Sequence, residues 1–464
     1  MTSFRSLGLT LAASASLMAG SLAAQTYSDL DRQRDQLMLD VVQRDLTRYY
    51  YDSTYGGLPI SAMFDSARAQ IGRSQSNEQS FGLIARVFLA LHDSETLFIP
   101  PSHPATFDYG WEVECIGDSA YITRVDSSSD AAAQGVHVGD RVLAIDGVAI
   151  DRSDFKQFLY VLNGLQPRER VVLTIAADGR PPRQVSVATR VTPQKRMYDM
   201  SGFSGTGDLI LLWNDAIQQR DQRRIHLLKV TPDILLWHMY STGVPLDDLH
   251  HALGQAARMQ TLILDLRENA GGGWKATSAL LDALAPDSDA GVVVGRFFPR
   301  DPASTGALIG QLIGREQKDS MFLQPDAKHR FQGRLIVLVD GMTFGKGEII
   351  ADVVRRLHLG TVIGDRTAGT GTVVRLFTYG TPGYAQELYG ALIGVADFRR
   401  PDGSRIEGVG VTPDETILPT PQDLRSGNDP VLARALAIAG HPVSPAEAGA
   451  LDKEDGEAAV TTPH

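Results

Sequence analysis

Residues 334–374 read RLIVLVDGMTFGKGEIIADVVRRLHLGTVIGDRTAGTGTVV, and this stretch decides the fold. Its apolar run at 335–339 is typical of a fully buried strand. A helical pattern follows, in which apolar residues recur on one face: Ile349, Ile350, Val353, Val354 and Leu357. A short strand at 361–363 and a glycine-rich turn complete the unit. Strand–helix–strand units of this kind build parallel sheets, and such sheets present their chemistry at the turn between strand and helix.

The composition is that of an ordinary globular protein. Of its 464 residues, 43% are hydrophobic and 21% are charged. This length is enough for about two or three domains. The net charge of −11 argues against nucleic acid as a partner, because little would neutralise the phosphates. Cys115 is the only cysteine, which excludes an internal disulfide and a cysteine-based metal site.

Residues 1–24 have the pattern of a secretory signal. Arg5 is the lone positive charge, and an apolar, small-residue core covers residues 7–22. Serines and a glycine dilute this core, which is short for a bilayer span of about 20 apolar residues. We therefore predict an exported protein, periplasmic or extracellular, with no transmembrane segment in the mature chain. The mature chain is expected to begin near Ala24 or Gln25.

The turn DGMTFGKGE at 340–348 resembles a catalytic turn of a known family. In the C-terminal-processing peptidases, or tail-specific serine proteases, the nucleophile turn reads D-G-x-T/S-x-S-A-G/S-E. The resemblance places the attacking serine at Gly345. The second turn, GDRTAGTG at 364–371, resembles the family's G-E-x-T-x-G-K-G and places the general-base lysine at Thr370. The residues around both positions match the family motifs, but neither the serine nor the lysine of the Ser/Lys dyad is present.

A third element, LHDSETLFIPP at 91–101, is similar to the family's L-x-D-x-H-T-x-F-x-P-P. One branch of the family uses a histidine together with its serine. In this chain that position is Glu95. His92 lies three residues earlier and would face elsewhere, so we interpret it as a solvated loop histidine.

Two further motifs extend the resemblance over the core. The run TLILDLRENAGGG at 261–273 matches L-I-L-D-L-R-x-N-x-G-G, and EGVGVTPD at 407–414 matches the end of the family's core. In active relatives an amide from the glycine turn joins the amide that follows the nucleophile to form an oxyanion hole. The resemblance therefore assigns oxyanion or substrate binding to Gly271, Gly272 and Lys346. It also implies an α/β core of crotonase-like ββα sheet units.

A small β-rich domain precedes the core. The run DAAAQGVHVGDRVLAIDG at 130–147 is very similar to the PDZ pattern S-P-A-x-x-A-G-L-x-x-G-D-x-I-x-x-I-D-G. A PDZ domain captures an extended C-terminal peptide as an added strand, and backbone amides hold its terminal carboxylate. The resemblance places the peptide-binding loop at four positions: Tyr109, Gly110, Trp111 and Val113. A PDZ domain that merely packs against the core remains an alternative.

The sequence thus predicts an α/β core preceded by an N-terminal helical region and a PDZ domain. An irregular, charged insert at 285–332 is expected to cover the site or to lie on the surface. The predicted boundaries are a signal peptide at 1–24, a helical region at 26–105, a PDZ domain at 106–190, a linker at 191–230, the core at 231–420 and a disordered acidic tail at 440–464.

Three functions stay open. The leading hypothesis is a catalytically degenerate family member that binds peptides or protein C-termini through its PDZ domain and core cleft. Glycine has no atom with which to attack, and threonine is no base near neutral pH. An active peptidase relative is a further candidate partner. The second hypothesis is an active serine-type peptidase with relocated residues, in which Thr370 attacks and Lys346 is the base, near Thr367 and Thr372. The third is a protein that binds a non-peptide ligand. No cofactor and no metal are expected.

Overall fold

A computed structural model gives the fold for residues 27–101, 103, 105–177, 179–193, 225–301, 319–380 and 388–458, with side chains described as far as residue 451. The predicted signal peptide lies outside these residues, as does most of the predicted linker. Within the described ranges, no helix is long and apolar enough to cross a membrane.

The N-terminal region is helical, as the sequence predicts. Ser28 begins the first helix, because its hydroxyl accepts a hydrogen bond from the amide of Asp31 at 3.2 Å in a capping box. Ser76 caps the third helix, where its hydroxyl accepts a hydrogen bond from the amide of Gln79. A short strand ends the region and joins the sheet described below. These elements are α1 (Asp29–Tyr49), α2 (Ile60–Ile71), α3 (Asn77–Leu89) and β1 (Leu97–Ile99).

The next part is a small antiparallel sheet with two short helices. Its strand order is β3-β4-β5-β7-β8, with β6 paired to β5, so β3 is an edge strand. A separate two-stranded ribbon, β2 with β9, joins the chain where it enters and leaves this part. Its elements are β2 (Ala105–Asp108), β3 (Trp111–Ile116), β4 (Ser119–Val125), α4 (Asp130–Ala133), β5 (Arg141–Ile145), β6 (Val148–Ala149), α5 (Phe155–Leu159), β7 (Arg170–Ala176), β8 (Arg183–Ala188) and β9 (Arg190–Pro193). One π-helical turn, Tyr160–Leu165, continues α5.

The core contains two sheets. The first has the order β10-β11-β12-β15-β16-β19, and all its pairs are parallel except β10 with β11. In the second, β18 pairs antiparallel with β1, β13 and β17, and β14 pairs with β13. The core elements are β10 (His226–Thr231), β11 (Ile234–His238), α6 (Leu246–Ala256), β12 (Thr261–Asp265), α7 (Trp274–Leu284), β13 (Val293–Pro299), β14 (Ser320–Phe322), β15 (Arg334–Val339), α8 (Lys346–Arg356), β16 (Thr361–Gly364), β17 (Thr372–Gly380), β18 (Leu388–Arg399) and β19 (Glu415–Thr416).

Burial explains why the central strands could be read from the sequence. Every residue of β11 and β12 is buried, as is every residue of β15 after Arg334. Helices cover both faces of this sheet, so its strands are continuous apolar runs without alternation. The prediction of an α/β core with a helical region and a small β-rich domain is confirmed.

Two predicted boundaries are wrong. The linker was expected at 191–230, but β9 and β10 take up its two ends. The predicted disordered tail contains a helix, α11 (Pro445–Ala458), which follows α9 (Pro421–Ser426) and α10 (Pro430–Ile438). Ala448 of α11 is fully buried in the apolar cluster that α10 forms on one face of the parallel sheet. The helix was not predicted because the acidic, alanine-rich composition of the tail is typical of disorder and gives no sign of this small apolar contact. The predicted irregular insert likewise contains β13 and β14.

Candidate functional site

The centre of the site is the backbone of Gly345, which lies between β15 and α8. Its φ is 53° and its ψ is −109°, a conformation that residues with a side chain rarely adopt. Strained turns of this kind present a nucleophile at the start of a helix in several hydrolase folds. The Gly345 backbone therefore keeps a conformation suited to a nucleophile, although the residue has no side chain.

There is room for a side chain at this position. A Cβ atom on Gly345 would lie 3.8 Å from Gly271 Cα and 3.9 Å from both Glu95 Oε1 and Thr370 Oγ1. These are ordinary van der Waals distances. The three predicted positions 345, 370 and 95 are thus brought together in space, as the motif resemblance implies.

Thr370 stands at the position predicted for the lysine, and Glu348 is its hydrogen-bond partner. Its hydroxyl accepts a hydrogen bond from the Gly345 amide at 2.5 Å and donates one to Glu348 Oε2 at 2.5 Å. Thr370 is 1% exposed. Its hydroxyl is therefore buried and already committed in both directions.

Glu348 joins the two turns of the site. Besides Thr370 Oγ1, its carboxylate accepts hydrogen bonds from Thr367 Oγ1 at 2.5 Å, from the Thr370 amide at 2.6 Å, from the Gly369 amide at 2.7 Å and from the Gly345 amide at 3.1 Å. Burial raises the pKa of Glu348 to about 7, although these donors oppose the shift. The arrangement fixes the second turn beneath the first.

Asp340 holds the first turn. Its carboxylate accepts hydrogen bonds from the Thr343 hydroxyl at 2.9 Å, the Met342 amide at 3.0 Å and the Glu268 amide at 3.1 Å. Burial raises the pKa of Asp340 to about 7, and the nearby Glu268 carboxylate acts in the same direction. The aspartate and threonine of the turn motif are therefore structural.

The glycine turn after β12 lies against the turn that contains Gly345. The Gly271 amide donates to Asn269 Oδ1 at 2.9 Å, so this predicted donor is already in use. Among the described residues, the amides of Gly272 and Lys346 have no acceptor. A Cβ atom on Gly271 would lie 3.6 Å from the Lys346 nitrogen, so the two turns are in close contact. Gly272 and Lys346 remain as candidate donors.

Glu95 lies at the rim of the site. Its Oε1 atom is 3.5 Å from Lys156 Nζ, and its buried Oε2 atom has no hydrogen-bond partner in the described part of the chain. The neighbouring Ser94 donates from its amide to Glu407 Oε1 at 2.9 Å and from its hydroxyl to Glu407 Oε2 at 3.0 Å. His92 is exposed, in line with its interpretation as a loop histidine.

Two lysines from different parts of the chain interact electrostatically with Glu95. Lys346 is 8% exposed, and its Nζ lies 5.1 Å from the centre of the Trp274 ring. Burial lowers the pKa of Lys346, the Glu95 carboxylate opposes the shift, and Lys156 adds to it. Lys156 comes from α5, and its Nζ lies 4.9 Å from the centre of the Phe344 ring.

In the loop predicted to bind peptides, at residues 109–113, three side chains face inward. Tyr109, Trp111 and Val113 are buried in the domain's own apolar cluster. The Tyr109 hydroxyl donates to the Leu162 carbonyl at 2.9 Å, which anchors the loop. Gly110 has φ 70°, and a Cβ atom there would meet Ser129 Cβ at 2.2 Å. A ligand at this loop would therefore contact backbone rather than these side chains.

The small β domain is docked directly onto the core turn. Arg152 Nη1 lies 2.8 Å from Asp365 Oδ2, and both side chains are mostly buried. The same guanidinium donates to the carbonyls of Gly117 and Arg366. A Cβ atom on Gly341 would meet the Cys115 carbonyl at 2.6 Å, so the end of β3 reaches the turn that carries Gly345.

The sequence missed four residues of this site. Glu348, Ser94 and Glu407 stand inside quoted motifs, so their positions were visible although their contacts were not. Lys156 follows no motif. The fold brings it to Glu95 from 61 residues further along the chain.

Comparisons with known proteins agree with the motifs. Residues 238–417 match the family model of Peptidase family S41, and residues 108–189 match that of the PDZ domain. The carboxy-terminal-processing protease of Bartonella bacilliformis is 29% identical over 341 residues, which cover 71% of this chain and 64% of that protein. The chloroplastic C-terminal processing peptidase of Tetradesmus obliquus is 24% identical over 429 residues, which cover 88% and 82%. The alignment to the bacterial relative thus spans just under two thirds of its length.

A solved structure shares the fold over nearly the whole chain. Mature CPAF complexed with lactacystin superimposes with a TM-score of 0.58 at 16% identity, covering 92% of this chain and 98% of that one. At this identity the similarity concerns the fold alone.

Proposed function

The chain belongs to the C-terminal-processing peptidases of family S41 and carries a PDZ domain, and on that premise we propose that it binds peptides or protein C-termini without cleaving them. The observation that carries the proposal is Gly345. The residue has the backbone conformation of a nucleophile turn and space for a side chain, but it has no atom that could attack a carbonyl.

The replacement of the lysine supports the same proposal. Thr370 occupies the general-base position, and its hydroxyl donates to Glu348. A hydroxyl is too weak a base to remove a proton near neutral pH, and at 1% exposure Thr370 is shielded from a substrate. Removal of catalytic groups typically lowers turnover by several orders of magnitude, while substrate binding survives.

The edge of the PDZ sheet supports peptide binding. The strand β3 is the edge of the PDZ sheet, and its outer side pairs with no strand among the described residues. A sheet edge of this kind accepts an extended peptide as an added strand. The far end of β3 meets Gly341, so a peptide paired along β3 leads towards the turn at Gly345.

The proposal extends to location and partners. The segment at 1–24 supports export to a periplasmic or extracellular compartment, where peptides and protein C-termini are available. An active peptidase relative is a natural partner, since a non-cleaving copy of its cleft and PDZ domain would compete for the same tails.

A second candidate is an active peptidase that uses Thr370 and Lys346. The buried Lys346, whose pKa is lowered, favours it because a lysine base needs such a shift. Against it, the Thr370 hydroxyl donates to Glu348 and not to Lys346. The geometry therefore supports the non-cleaving function better.

The deciding experiment measures hydrolysis and binding on one preparation. We expect no turnover of casein beyond that of the Lys346→Ala, Thr370→Ala double variant. We also expect ten-residue peptides with free C-termini to bind more tightly than their amidated forms, as titration calorimetry would measure. Turnover that disappears in the double variant would establish the second candidate instead. Failure of every peptide to bind would remove the peptide-binding function.

A further inference from the structure

Two histidines and an aspartate form a cluster in the core, outside the sequence motifs of the family. His250 lies on α6, whereas Asp326 and His329 lie in the loop between β14 and β15. One nitrogen of each imidazole ring and one carboxylate oxygen all lie within 4.8 Å of one another. Because His250 is far in sequence from the other two residues, no metal was expected from the sequence alone.

The two parts of this cluster are positioned by the same pair of helices. The loop that carries Asp326 and His329 is anchored to α7, where Asp282 Oδ1 accepts a hydrogen bond from the Gln324 amide at 2.7 Å and the Asp282 carbonyl accepts one from the Asp326 amide at 3.0 Å. The helix α6, which carries His250, packs on α7 within the apolar cluster of the core. The three side chains therefore start from backbone positions that the fold already fixes, as a binding site requires.

The side chains of the cluster are in contact and open to solvent. His329 Nδ1 lies 2.6 Å from Asp326 Oδ2, and Asp326 Oδ1 accepts a hydrogen bond from the Lys328 amide at 2.9 Å. The His250 ring stacks on the His329 ring, with 4.4 Å between the ring centres and 5° between the ring planes. His329 is 13% exposed, Asp326 is 33% exposed, and His250 is half-buried, so an ion can enter from solvent.

The donor types match a divalent transition-metal ion. Imidazole nitrogen together with a carboxylate oxygen is a donor set typical of zinc. A tetrahedral zinc ion holds its donors about 3.3 Å apart, so the longest separation in the cluster would close by about 1.5 Å. The two rings would also tilt out of their parallel stack, and rotation of partly exposed side chains allows such movement. Of the adjoining basic residues, Arg330 forms an ion pair with Asp287 and Lys328 is exposed.

We propose that His250, His329 and Asp326 bind a divalent transition-metal ion, with zinc as the best match and water completing its coordination. The ion would link the loop between β14 and β15 to α6, and its binding would stabilise the folded core. The inference does not depend on the proposed function, because the three residues belong neither to the turns around Gly345 nor to the PDZ domain.

Calorimetric titration with zinc chloride, on untagged protein stripped of metals with EDTA, tests the site. We expect saturable binding of about one ion per chain, and we expect zinc to raise the melting temperature. His250→Ala and Asp326→Asn should each weaken zinc binding at least about tenfold, because the first removes a ligand and the second removes its charge. The matched control is His251→Ala. His251 is the next residue of α6, is exposed and contacts Gln255, so its loss should leave the affinity unchanged.

Several results would overturn the inference. They are the absence of saturable zinc binding to the wild type, an affinity that survives in His250→Ala or Asp326→Asn, and a loss in His251→Ala as large as in His250→Ala. Calcium is a further probe, since it binds through oxygen ligands alone and should not displace zinc from a site with two histidines. Displacement by calcium would reject the histidine ligands. Circular dichroism checks the fold of each variant, and His250→Gln replaces His250→Ala if the latter does not fold.

Discussion

The amide of Gly345 donates a hydrogen bond to the hydroxyl of Thr370 at 2.5 Å, which joins the two positions that the motif resemblance assigns to the nucleophile and the general base. The two turns are still assembled as a catalytic centre would require. Neither residue carries the hydroxyl or the amine of a Ser/Lys dyad. The proposed loss of catalysis leads to testable consequences.

Introducing a serine and a lysine at positions 345 and 370 should produce hydrolytic activity. In the double variant Gly345→Ser, Thr370→Lys, we expect casein hydrolysis at least about tenfold above the wild-type background, because a serine beside a buried lysine is the minimal activated nucleophile. The matched control is Gly345→Ala, Thr370→Lys, which carries the lysine without an attacking oxygen. A folded double variant no more active than this control would show that the cleft no longer positions a peptide bond.

Glu348→Gln should destabilise the core. The carboxylate accepts hydrogen bonds from both turns, and a carboxamide would turn its own donors towards buried amides and hydroxyls. Leaving such donors unsatisfied costs about 3 kcal/mol. Equilibrium urea unfolding measures the change, with the exposed Glu169→Gln as control. A loss as small as that of the control would mean that Glu348 is dispensable.

Stability should fall between pH 5 and pH 7. Burial raises the pKa of Asp93, Asp340 and Glu348 to about 7 in each case. A carboxyl with a raised folded-state pKa stabilises the folded state at low pH, and this contribution is lost as the pH rises through the folded pKa. Melting temperatures at pH 5, 6 and 7 should therefore decrease in that order, and less steeply in Glu348→Gln. A flat or rising series would contradict the assignment.

Arg152→Ala should release the PDZ domain from the core. The substitution leaves the mostly buried Asp365 without its guanidinium and removes the contacts to two carbonyls. Loss of one partner of a buried ion pair destabilises by about 3 kcal/mol. We expect an increased radius of gyration in solution scattering, whereas Arg180→Ala, at an exposed position, should leave it unchanged. Identical scattering from all three proteins would show that other contacts suffice.

Much of the fold was predictable because its signals are local. The buried strands β12 and β15 are continuous apolar runs, and the helix α8 follows a regular apolar face. The motifs also indicated that positions 345, 370 and 95 belong together. The tail helix α11 was not predicted because it packs on the core through the buried Ala448, and composition alone does not reveal such a contact.

The sequence by itself determined which atoms are missing: no side chain at Gly345 and no amine at Thr370. Only the tertiary structure decided what the remaining groups do. It brought Lys156 to Glu95, committed the Gly271 amide to Asn269 and buried Lys346 against the ring of Trp274. The type of each residue is known from the sequence alone. Burial and charge pairing depend on contacts between segments that are distant in sequence and meet only in the folded protein.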